Sequence, residues 1–239
     1  MNKKGKKLSV IIPVYNEEST ITAILEKIMQ VELPGDVSRE LILVNDCSTD
    51  NSESRILEYL GTCKEGTIVY LKHAENKGKG AAIRTGIPKA TGDYILIQDA
   101  DMEYEPGDYP LLLQDLLSGE SKVVYGSRFL NKVNKHSYHS FYWGGRLVTF
   151  VTNLLYRLQL TDVPTCYKMF DAALLRSINL ECTRFEFCPE VTAKVAKLGH
   201  RIVEKPIYYY PRSFSEGKKI KWQDGIEAIW TLVKYRFSN

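Results

Sequence analysis

The chain contains 239 residues, of which 44% are hydrophobic, 26% charged and 11% aromatic. This is the composition of a folded globular protein, and it excludes disordered, collagen-like and coiled-coil chains. The 32 basic residues barely exceed the 29 acidic ones, and a formal net charge of +3 does not indicate nucleic-acid binding.

Five cysteines are scattered along the chain: Cys47, Cys63, Cys166, Cys182 and Cys188. Their odd number and the lack of a C-x-x-C pair predict neither a disulfide framework nor a zinc site. Reduced thiols are typical of cytoplasmic proteins, and no window reaches the ~18 apolar residues of a membrane-spanning helix. We therefore expect a cytoplasmic protein that meets a membrane, if at all, only at its surface.

The first hundred residues alternate between apolar runs and amphipathic segments. The runs predict four strands, at residues 9–14, 40–44, 67–72 and 93–98. Three helices are predicted between the strands: one that begins at Ser19, one at 51–60 and one at 81–89. In the first helix, Ile21, Ile24 and Leu25 begin the helical spacing of apolar residues. Strands that alternate with helices in this way predict a parallel, doubly wound sheet.

The second half of the chain continues the α/β pattern without a repeat, a low-complexity tract or a clear linker. Helices are predicted at 109–117, 141–158, 191–198 and 223–235. Extended segments are predicted at 122–125 and 201–210. A single domain covering residues 1–239 is therefore expected rather than two.

Polar side chains follow each of the first four predicted strands. They are Tyr15, Asn16 and Glu17, then Asn45 and Asp46, then residues 76–80, and finally Asp99, Asp101 and Glu103. In open parallel sheets, ligands bind at the carboxyl ends of the strands, so these side chains are expected at one rim. A single acid of this kind is more often a helix cap or a dipole partner, but four strand ends of the same character favour a binding site.

Asp99 and Asp101 are the strongest candidates for chemistry. Two carboxylates at i and i+2, directly after a buried strand, are suitable oxygen ligands for Mg²⁺ or Mn²⁺. Such a cation would offset the charge on a departing diphosphate. A D-x-D sequence alone is more often a solvated turn, but its position at a strand end favours the metal site. Other nucleotide signatures fail, because residues 78–80 belong neither to a P-loop nor to G-x-G-x-x-G.

Six short motifs occur in order along the chain. They are residues 10–18 (VIIPVYNEE), 44–50 (VNDCSTD), 76–80 (NKGKG), 90–93 (ATGD), 98–101 (QDAD) and 126–128 (GSR). Together they closely resemble family 2 glycosyltransferases of the GT-A fold, especially the polyprenyl-phosphate hexosyltransferases such as the dolichyl-phosphate mannose synthases. The resemblance implies a mostly parallel, Rossmann-like sheet flanked by helices. It implies a nucleotide-binding half at 8–103, an acceptor-side half at 104–221 and a C-terminal amphipathic helix at 222–239.

The resemblance also assigns roles to the residues that match the family's motifs. It implies that a UDP- or GDP-hexose is bound by Pro13, Tyr15, Glu17, Val44, Asp46, Lys79, Asp99, Ala100 and Asp101. It implies that Mg²⁺ or Mn²⁺ is bound by Asp99, Asp101 and Glu103, and that phosphate groups contact Arg128, Arg212 and Lys218. One metal ion and several cations would offset the charges that a sugar diphosphate and a phosphate acceptor bring into one cleft.

The reaction that the resemblance implies is a single in-line displacement with inversion at the anomeric carbon, with Asp101 and Arg128 among the catalytic residues. A polyprenyl phosphate is already an anion near neutral pH and needs no strong general base, whereas a hydroxyl acceptor needs one. Asp162 and Glu190 are the candidate bases on the acceptor side. Glu190 opens a predicted helix after Pro189, so a partner of the helix dipole is an equally good interpretation.

The chain departs from the family's pattern at several points. Asn45 replaces an acid, Glu103 stands where glutamine is common, residues 162–168 follow the acceptor-side loop only loosely, and no spanning segment follows the domain. These departures leave a protein or glycan hydroxyl open as the acceptor. An aspartate-dependent phosphotransferase and a non-catalytic nucleotide-sugar binder are more remote alternatives.

The C-terminal segment carries one apolar stripe, formed by Trp222, Ile226, Trp230, Val233 and Phe237. Basic residues lie near this stripe: Lys218, Lys219, Lys221, Lys234 and Arg236. Docking of the stripe onto the core is the simpler expectation. A basic helix with aromatic residues can instead rest on an anionic membrane surface, where a lipid acceptor would be found.

Overall fold

The computed structural model describes residues 5–63, 67–135, 139–212 and 222–238. Within these ranges the strands are β1 (Lys7–Val14), β2 (Ser38–Asn45), β3 (Thr67–Lys72), β4 (Tyr94–Ile97), β5 (Val123–Ser127), β6 (Lys168–Asp171) and β7 (Ile202–Pro206). The helices are α1 (Ile21–Gln30), α2 (Ser52–Thr62), α3 (Lys79–Gly86), α4 (Tyr109–Ser118), α5 (His139–Tyr156), α6 (Ala172–Ser177), α7 (Phe187–Lys197) and α8 (Trp222–Phe237).

The strands form one sheet in the order β3-β2-β1-β4-β6-β5-β7. Pairing is parallel from β3 through β2 and β1 to β4, and again between β5 and β7. Only β6 among these strands is antiparallel to its neighbours, β4 and β5. The predicted α/β class and the mostly parallel sheet are therefore confirmed, and the carboxyl ends of β1, β2 and β4 lie side by side.

Apolar side chains cover both faces of the central strands. In β1, Ile11 packs into a layer that includes residues of α3, α5, α7 and α8, whereas Val10 and Ile12 pack into a layer with residues of α1 and α4. All three side chains are completely buried. A strand covered on both faces is expected to be continuously apolar, which explains why the sequence indicated this strand clearly.

The sequence does not predict β6 or α6. Strand β6 has only four residues, and Lys168 within it is completely buried. The Lys168 ammonium donates to the Val163 carbonyl at 2.9 Å and lies 3.5 Å from the centre of the Tyr125 ring. Burial lowers the pKa of this lysine. In the sequence, the charged Lys168 interrupts the run of apolar residues, so the pattern does not indicate a strand. The partners that make its burial possible are brought together only in the tertiary structure.

Most other predicted elements agree with the structure, and their ends differ for local reasons. Helix α3 begins at Lys79 and ends at Gly86, because Pro88 has no backbone N–H with which to continue the α-helical hydrogen bonds. Residues 87–89 form a 3-10 turn instead. The extended segment predicted at 201–210 pairs as β7 only to Pro206, and Tyr209 then forms an isolated bridge with Tyr104.

Helix α8 packs against α5 and α7, but not through its predicted apolar stripe. Ala228, Leu232 and Tyr235 face the core. Four of the five stripe residues are exposed, by 73% at Trp222, 60% at Ile226, 66% at Trp230 and 84% at Phe237, and Val233 is half-buried. The expectation that the stripe docks onto the core is therefore wrong, because a second set of apolar residues at helical spacing makes that contact. In the described part of the chain, no helix has the length and apolarity needed to cross a membrane.

Candidate active site

A cleft of about 1180 Å³ lies at the carboxyl ends of the central strands. Most of the predicted site residues line it: Pro13, Tyr15, Glu17, Asp46, Lys79, Asp99, Ala100, Asp101, Glu103, Arg128 and Arg212. Residues of α5 and α8 also contribute to its wall. The sheet thus brings side chains from distant parts of the sequence to one rim, as expected for parallel strands.

Val44, predicted to bind the nucleotide, is not among the residues that line the cleft. Val44 is completely buried and packs in the apolar layer on one face of the sheet. Strand β2 directs this side chain into the core, and the place of Val44 opposite Pro13 and Tyr15 at the nucleotide stays a prediction. Lys218 lies outside the described residues.

Asp99, the first acid after β4, forms an ion pair with Lys79 at the start of α3. The Lys79 ammonium also lies 2.9 Å from Cys166 Sγ. Burial acts to raise the pKa of Asp99, but the charge and hydrogen bond of Lys79, together with Cys166 and Arg212, outweigh it and the pKa is lowered. Asp99 is therefore held as a carboxylate whose charge is offset by Lys79 of residues 76–80 (NKGKG), the glycine-rich segment.

Arg212 bridges two acids on the floor of the cleft. Its guanidinium lies 2.5 Å from Asp101 Oδ2 and 3.1 Å from Glu17 Oε2. The pKa of Asp101 is nevertheless raised to about 7, because burial and the adjacent Asp99 charge outweigh the attraction of Arg212. Additional positive charge at this point would therefore stabilise the carboxylate form of Asp101.

Glu103, expected as a third metal ligand, binds the segment that carries Arg212. Its carboxylate accepts hydrogen bonds from the Arg212 backbone N–H at 2.7 Å and from the Tyr209 hydroxyl at 3.2 Å. Its own carbonyl accepts from the Tyr210 N–H at 2.8 Å. Glu103 thus positions residues 209–212, and its role as a third metal ligand stays a prediction.

Asp99 and Asp101 are the residues that could bind a divalent cation in the cleft. Among the described residues, no three side chains of His, Cys, Asp or Glu form a group that could hold a metal ion. Mg²⁺, however, is commonly bound by one or two carboxylates together with substrate phosphates and water. The two aspartates supply hard oxygen donors of this kind, so they fit a cation that binds together with a diphosphate.

Asp46, at the end of β2, organises the glycine-rich segment. Its carboxylate accepts from the backbone N–H groups of Lys77 at 2.8 Å and Gly78 at 2.7 Å. Its Oδ1 also lies 2.6 Å from His73 Nδ1, and His73 Nε2 lies 2.9 Å from Thr85 Oγ1. The sequence reasoning missed His73, although its place directly after β3, beside the end of β2, is a signal that could have found it.

Gly78 is a position where this segment requires glycine. Its φ is +90°, and a Cβ there would clash with the Thr183 carbonyl oxygen. We predict that Gly78→Ala lowers the free energy of unfolding by about 3 kcal/mol, because backbone strain adds to the clash. In Gly119→Ala, φ is +78° but nothing lies within 4 Å of the new Cβ, so only strain of about 1 kcal/mol is expected. Equal losses in urea unfolding of the two variants would contradict this account.

Asp162 holds Arg128 rather than facing the cleft. Its carboxylate accepts from Arg128 Nε at 2.8 Å, from a terminal guanidinium nitrogen at 2.7 Å and from the Arg128 backbone N–H at 2.9 Å. Asp162 is completely buried, and its charge raises the pKa of Arg128 although burial opposes this. Arg128 also lies 5.1 Å from the centre of the Tyr209 ring. Asp162 is thus a positioning residue for Arg128, which corrects the expectation of a general base.

Glu190 is likewise engaged away from the cleft. Its two carboxylate oxygens accept from the backbone N–H groups of Glu181 and Cys182, both at 2.7 Å. One of them also lies 2.6 Å from the Lys194 ammonium, one turn further along α7. The side chain is completely buried. Glu190 therefore fixes the loop before α7, and this structural role replaces the expectation of a catalytic base.

Comparison with known proteins adds a family and a set of relatives. The family model described as "Glycosyl transferase family 2" matches residues 9–178. The low-salt glycan biosynthesis hexosyltransferase Agl6 of Haloferax volcanii is 28% identical over 234 residues, which cover 97% of this chain and 53% of that protein. The chain thus spans about half the length of this relative.

Two further similarities cover more of the matched protein. The UDP-N-acetylglucosamine–dolichyl-phosphate N-acetylglucosaminyltransferase of Methanococcus voltae is 28% identical over 244 residues, covering 95% of each chain. The crystal structure of glucosyl-3-phosphoglycerate synthase from Mycobacterium tuberculosis with Mn²⁺, UDP-glucose and phosphoglyceric acid superposes with a TM-score of 0.70. Its identity is 20%, over 97% of this chain and 80% of that one. This structural likeness confirms the predicted GT-A fold.

Proposed function

The chain belongs to glycosyl transferase family 2, and from this premise we propose that it moves a hexose from a nucleotide diphosphate sugar to a polyprenyl phosphate. The observation that carries the proposal is the charge arrangement of the cleft. Asp99 and Asp101 lie at the end of β4 and are paired with Lys79 and Arg212, while Arg128 lines the same cleft. The relative from Methanococcus voltae aligns with this chain over 95% of both sequences. Its name gives UDP-N-acetylglucosamine and dolichyl phosphate as its substrates.

We propose that the donor diphosphate binds at the two aspartates. When bound there, Mg²⁺ or Mn²⁺ supplies positive charge that stabilises the leaving diphosphate. Arg212 already lies between Glu17 and Asp101, so its guanidinium can turn from these acids toward phosphate oxygens as the donor enters. Lys79, at the N-terminus of α3, adds a second cation on the same side.

The nucleoside is proposed to bind on the side of the cleft formed by the ends of β1 and β2. Pro13 and Tyr15 line this side, together with Asp46 and the segment that Asp46 holds through Lys77 and Gly78. The backbone of that segment is fixed, so polar atoms of a base or ribose meet a prepared surface and little ordering is needed on binding.

A phosphate acceptor fits the other side of the cleft better than a hydroxyl acceptor. A hydroxyl needs a general base, but Asp162 is bound to Arg128 and Glu190 is bound to Lys194. A polyprenyl phosphate is already anionic and attacks without such a base. Arg128 is proposed to orient it, because its guanidinium is held by Asp162 while its side chain lines the cleft.

A lipid acceptor suits the exposed apolar surface of α5 and α8. On α5, one helical stripe is exposed by 67% at Trp143, 52% at Leu147, 64% at Phe150 and 69% at Leu154. Helix α8, which carries the other exposed stripe, packs against α5. Both helices also line the cleft. We propose that these two stripes, the α5–α8 surface, rest on a membrane and bring the cleft to its lipid substrate.

Membrane binding by the α5–α8 surface is testable with vesicles. Replacing Phe150 and Ile226 together with serine is expected to weaken binding to anionic phospholipid vesicles about a hundredfold, since each apolar side chain contributes roughly 1.5 kcal/mol when it leaves water. Leu57→Ser is the matched control, because Leu57 on α2 is 51% exposed. Co-sedimentation measures the binding. Equal binding by the double variant and by the control would contradict the proposal.

Donor binding is the experiment that tests the proposed function. A panel of UDP- and GDP-hexoses with Mn²⁺ is compared by thermal unfolding. A bound donor at a hundred times its Kd adds about 2.7 kcal/mol of stability, which raises the Tm by roughly 5–10 °C in a domain of this size. We expect such a rise with one nucleotide class, and its loss when EDTA removes the metal. The proposal fails if no donor changes the Tm.

A further inference from the structure

His73 is a buried histidine whose two ring nitrogens both have partners. It directly follows β3, and its backbone N–H donates at 2.9 Å to the carbonyl of Asn45, the last residue of β2. Nδ1 lies 2.6 Å from Asp46 Oδ1, and Nε2 lies 2.9 Å from the hydroxyl of Thr85 on α3. Only 8% of His73 is exposed, and neither His73 nor Thr85 lines the cleft. The imidazole therefore joins the rim of the cleft to α3 without itself reaching a ligand.

The partners of the ring assign its hydrogen atoms. A carboxylate only accepts hydrogen bonds, so Nδ1 carries the hydrogen that lies between the ring and Asp46. The Thr85 hydroxyl can donate or accept, so it satisfies Nε2 whether or not this nitrogen carries a hydrogen. A hydrogen bond at one ring nitrogen sets how the other nitrogen is presented. Thr85 therefore holds the ring in the orientation in which Nδ1 points at Asp46.

The Asp46 carboxylate depends on this contact for its orientation. Its Oδ1 accepts from His73 Nδ1 and from the Lys77 backbone N–H, and its Oδ2 accepts from the Gly78 N–H. The terminal torsion of an aspartate is soft, so hydrogen bonds decide how the carboxylate is turned. Among these three donors, His73 is the one that lies outside the glycine-rich segment. Without it, the carboxylate and the two N–H groups can turn and shift together.

We propose that His73 and Thr85 are positioning residues of the donor site, which turn the Asp46 carboxylate so that it holds the glycine-rich segment in the conformation that meets the nucleoside. This inference rests on the proposed function, which places the nucleoside beside Asp46 and that segment. In a nucleotide diphosphate sugar, the diphosphate separates the nucleoside from the bond that breaks, so the nucleoside is held alike in the ground state and the transition state. Weakening such a contact raises the KM for the donor and leaves kcat unchanged.

Thr85→Val is the first test, because valine has the shape of threonine without its hydroxyl. We expect the donor KM to rise about fivefold, with kcat changed by less than about twofold, since Nε2 loses its partner and the ring its orientation. Thr85→Ser restores a hydroxyl and should return the KM to the wild-type value. Thr62→Val, the same change at an exposed position of α2, is the control. A wild-type KM in Thr85→Val, or a loss confined to kcat, would overturn the proposal.

His73→Phe tests the ring itself and separates the nucleoside from the diphosphate. Phenylalanine fills the space of the imidazole but cannot donate to Asp46, so UDP-glucose or GDP-mannose, titrated with Mn²⁺, is expected to bind about tenfold more weakly. Binding of inorganic diphosphate with Mn²⁺ should be unchanged, because Asp99 and Asp101 have other partners. An equal loss for both ligands would show damage to the whole cleft and overturn the proposal.

Amide hydrogen exchange tests the positioning without any donor. In Thr85→Val and in His73→Phe, the backbone amides of Lys77 and Gly78 should exchange about tenfold faster, because their acceptor is no longer fixed. The buried amides of β1 should keep their rates, which excludes a general loss of stability. Wild-type exchange at Lys77 and Gly78 would overturn the proposal. If the wild type binds no nucleotide sugar, the proposed function fails, and exchange still decides whether His73 and Thr85 position the segment.

Discussion

Asp101→Asn is expected to reduce sugar transfer by roughly a thousandfold, the size of effect seen when one group that stabilises transition-state charge is removed. Asparagine keeps the shape of the side chain but removes the charge that binds the cation of the leaving diphosphate. The fold should survive, because Arg212 keeps its contact with Glu17. The pKa of Asp101 is raised to about 7, so the folded protein does not depend on a charged group at this position.

Initial rates of nucleoside diphosphate release and the Tm are measured together for this variant. Glu120→Gln, an acid-to-amide change at an exposed residue, is the control and should leave both unchanged. If the Tm of the variant lies within a few degrees of the wild-type Tm, the variant is folded, and the lower rate results from the change at the site. Transfer by Asp101→Asn at more than a tenth of the wild-type rate would contradict the role proposed for Asp101.

Arg128→Met is expected to affect both stability and transfer. The Asp162 side chain is completely buried, and its bidentate contact with Arg128 offsets its charge. Removing one partner of a buried ion pair costs about 3 kcal/mol, because the other charge is left without compensation. Transfer should fall about a hundredfold in addition, since the cation proposed to orient the acceptor phosphate is lost.

A second variant separates these two effects. In Arg128→Met with Asp162→Asn, the uncompensated charge is gone, so much of the lost stability should return. Transfer should stay low, because the proposed phosphate contact is still missing. Arg201→Met, at an exposed arginine, serves as the control. Recovery of activity together with stability would show that Arg128 acts only through the fold, and it would contradict a phosphate contact.

The positions of Asp99 and Asp101 could be predicted from the sequence because they depend on local pattern and topology. Strand β4 is a short run of buried apolar residues, and whatever follows it lies at the rim of a parallel sheet. Glu17 and Asp46 follow from the same reasoning, and all four line the cleft. The six motifs, in their order along the chain, indicated the family. The order and direction of the strands agree with the mostly parallel sheet that was expected.

The partners of the acids could not be predicted, because they come from elements that are distant in sequence. Asp162 and Glu190 looked like free carboxylates on the acceptor side, but each is buried against a cation and backbone N–H groups. Glu103 similarly looked like a metal ligand and binds the Arg212 backbone. A carboxylate can face a cleft or a buried hydrogen-bond donor, and its tertiary contacts decide which. The spacing of apolar residues in the sequence does not predict those contacts.

The α8 stripe shows a different limit of sequence patterns. An apolar stripe at helical spacing indicates that one face is buried, but it does not say by what. Helix α8 has apolar residues on two faces, and the smaller set, with Ala228 and Leu232, packs on the core. The larger set, with Trp222 and Trp230, remains exposed. The same pattern therefore fits a core contact and a membrane contact equally well.

The most direct measurement is the product formed from donor and lipid. The full chain is incubated with Mn²⁺, the nucleotide sugar identified by thermal unfolding, and a short-chain polyprenyl phosphate in anionic vesicles, and the lipid extract is analysed by mass spectrometry. We predict a polyprenyl phosphate carrying one hexose, in amounts equal to the nucleoside diphosphate released and abolished in Asp101→Asn. Release of nucleoside diphosphate with no sugar on the lipid would contradict the polyprenyl-phosphate acceptor.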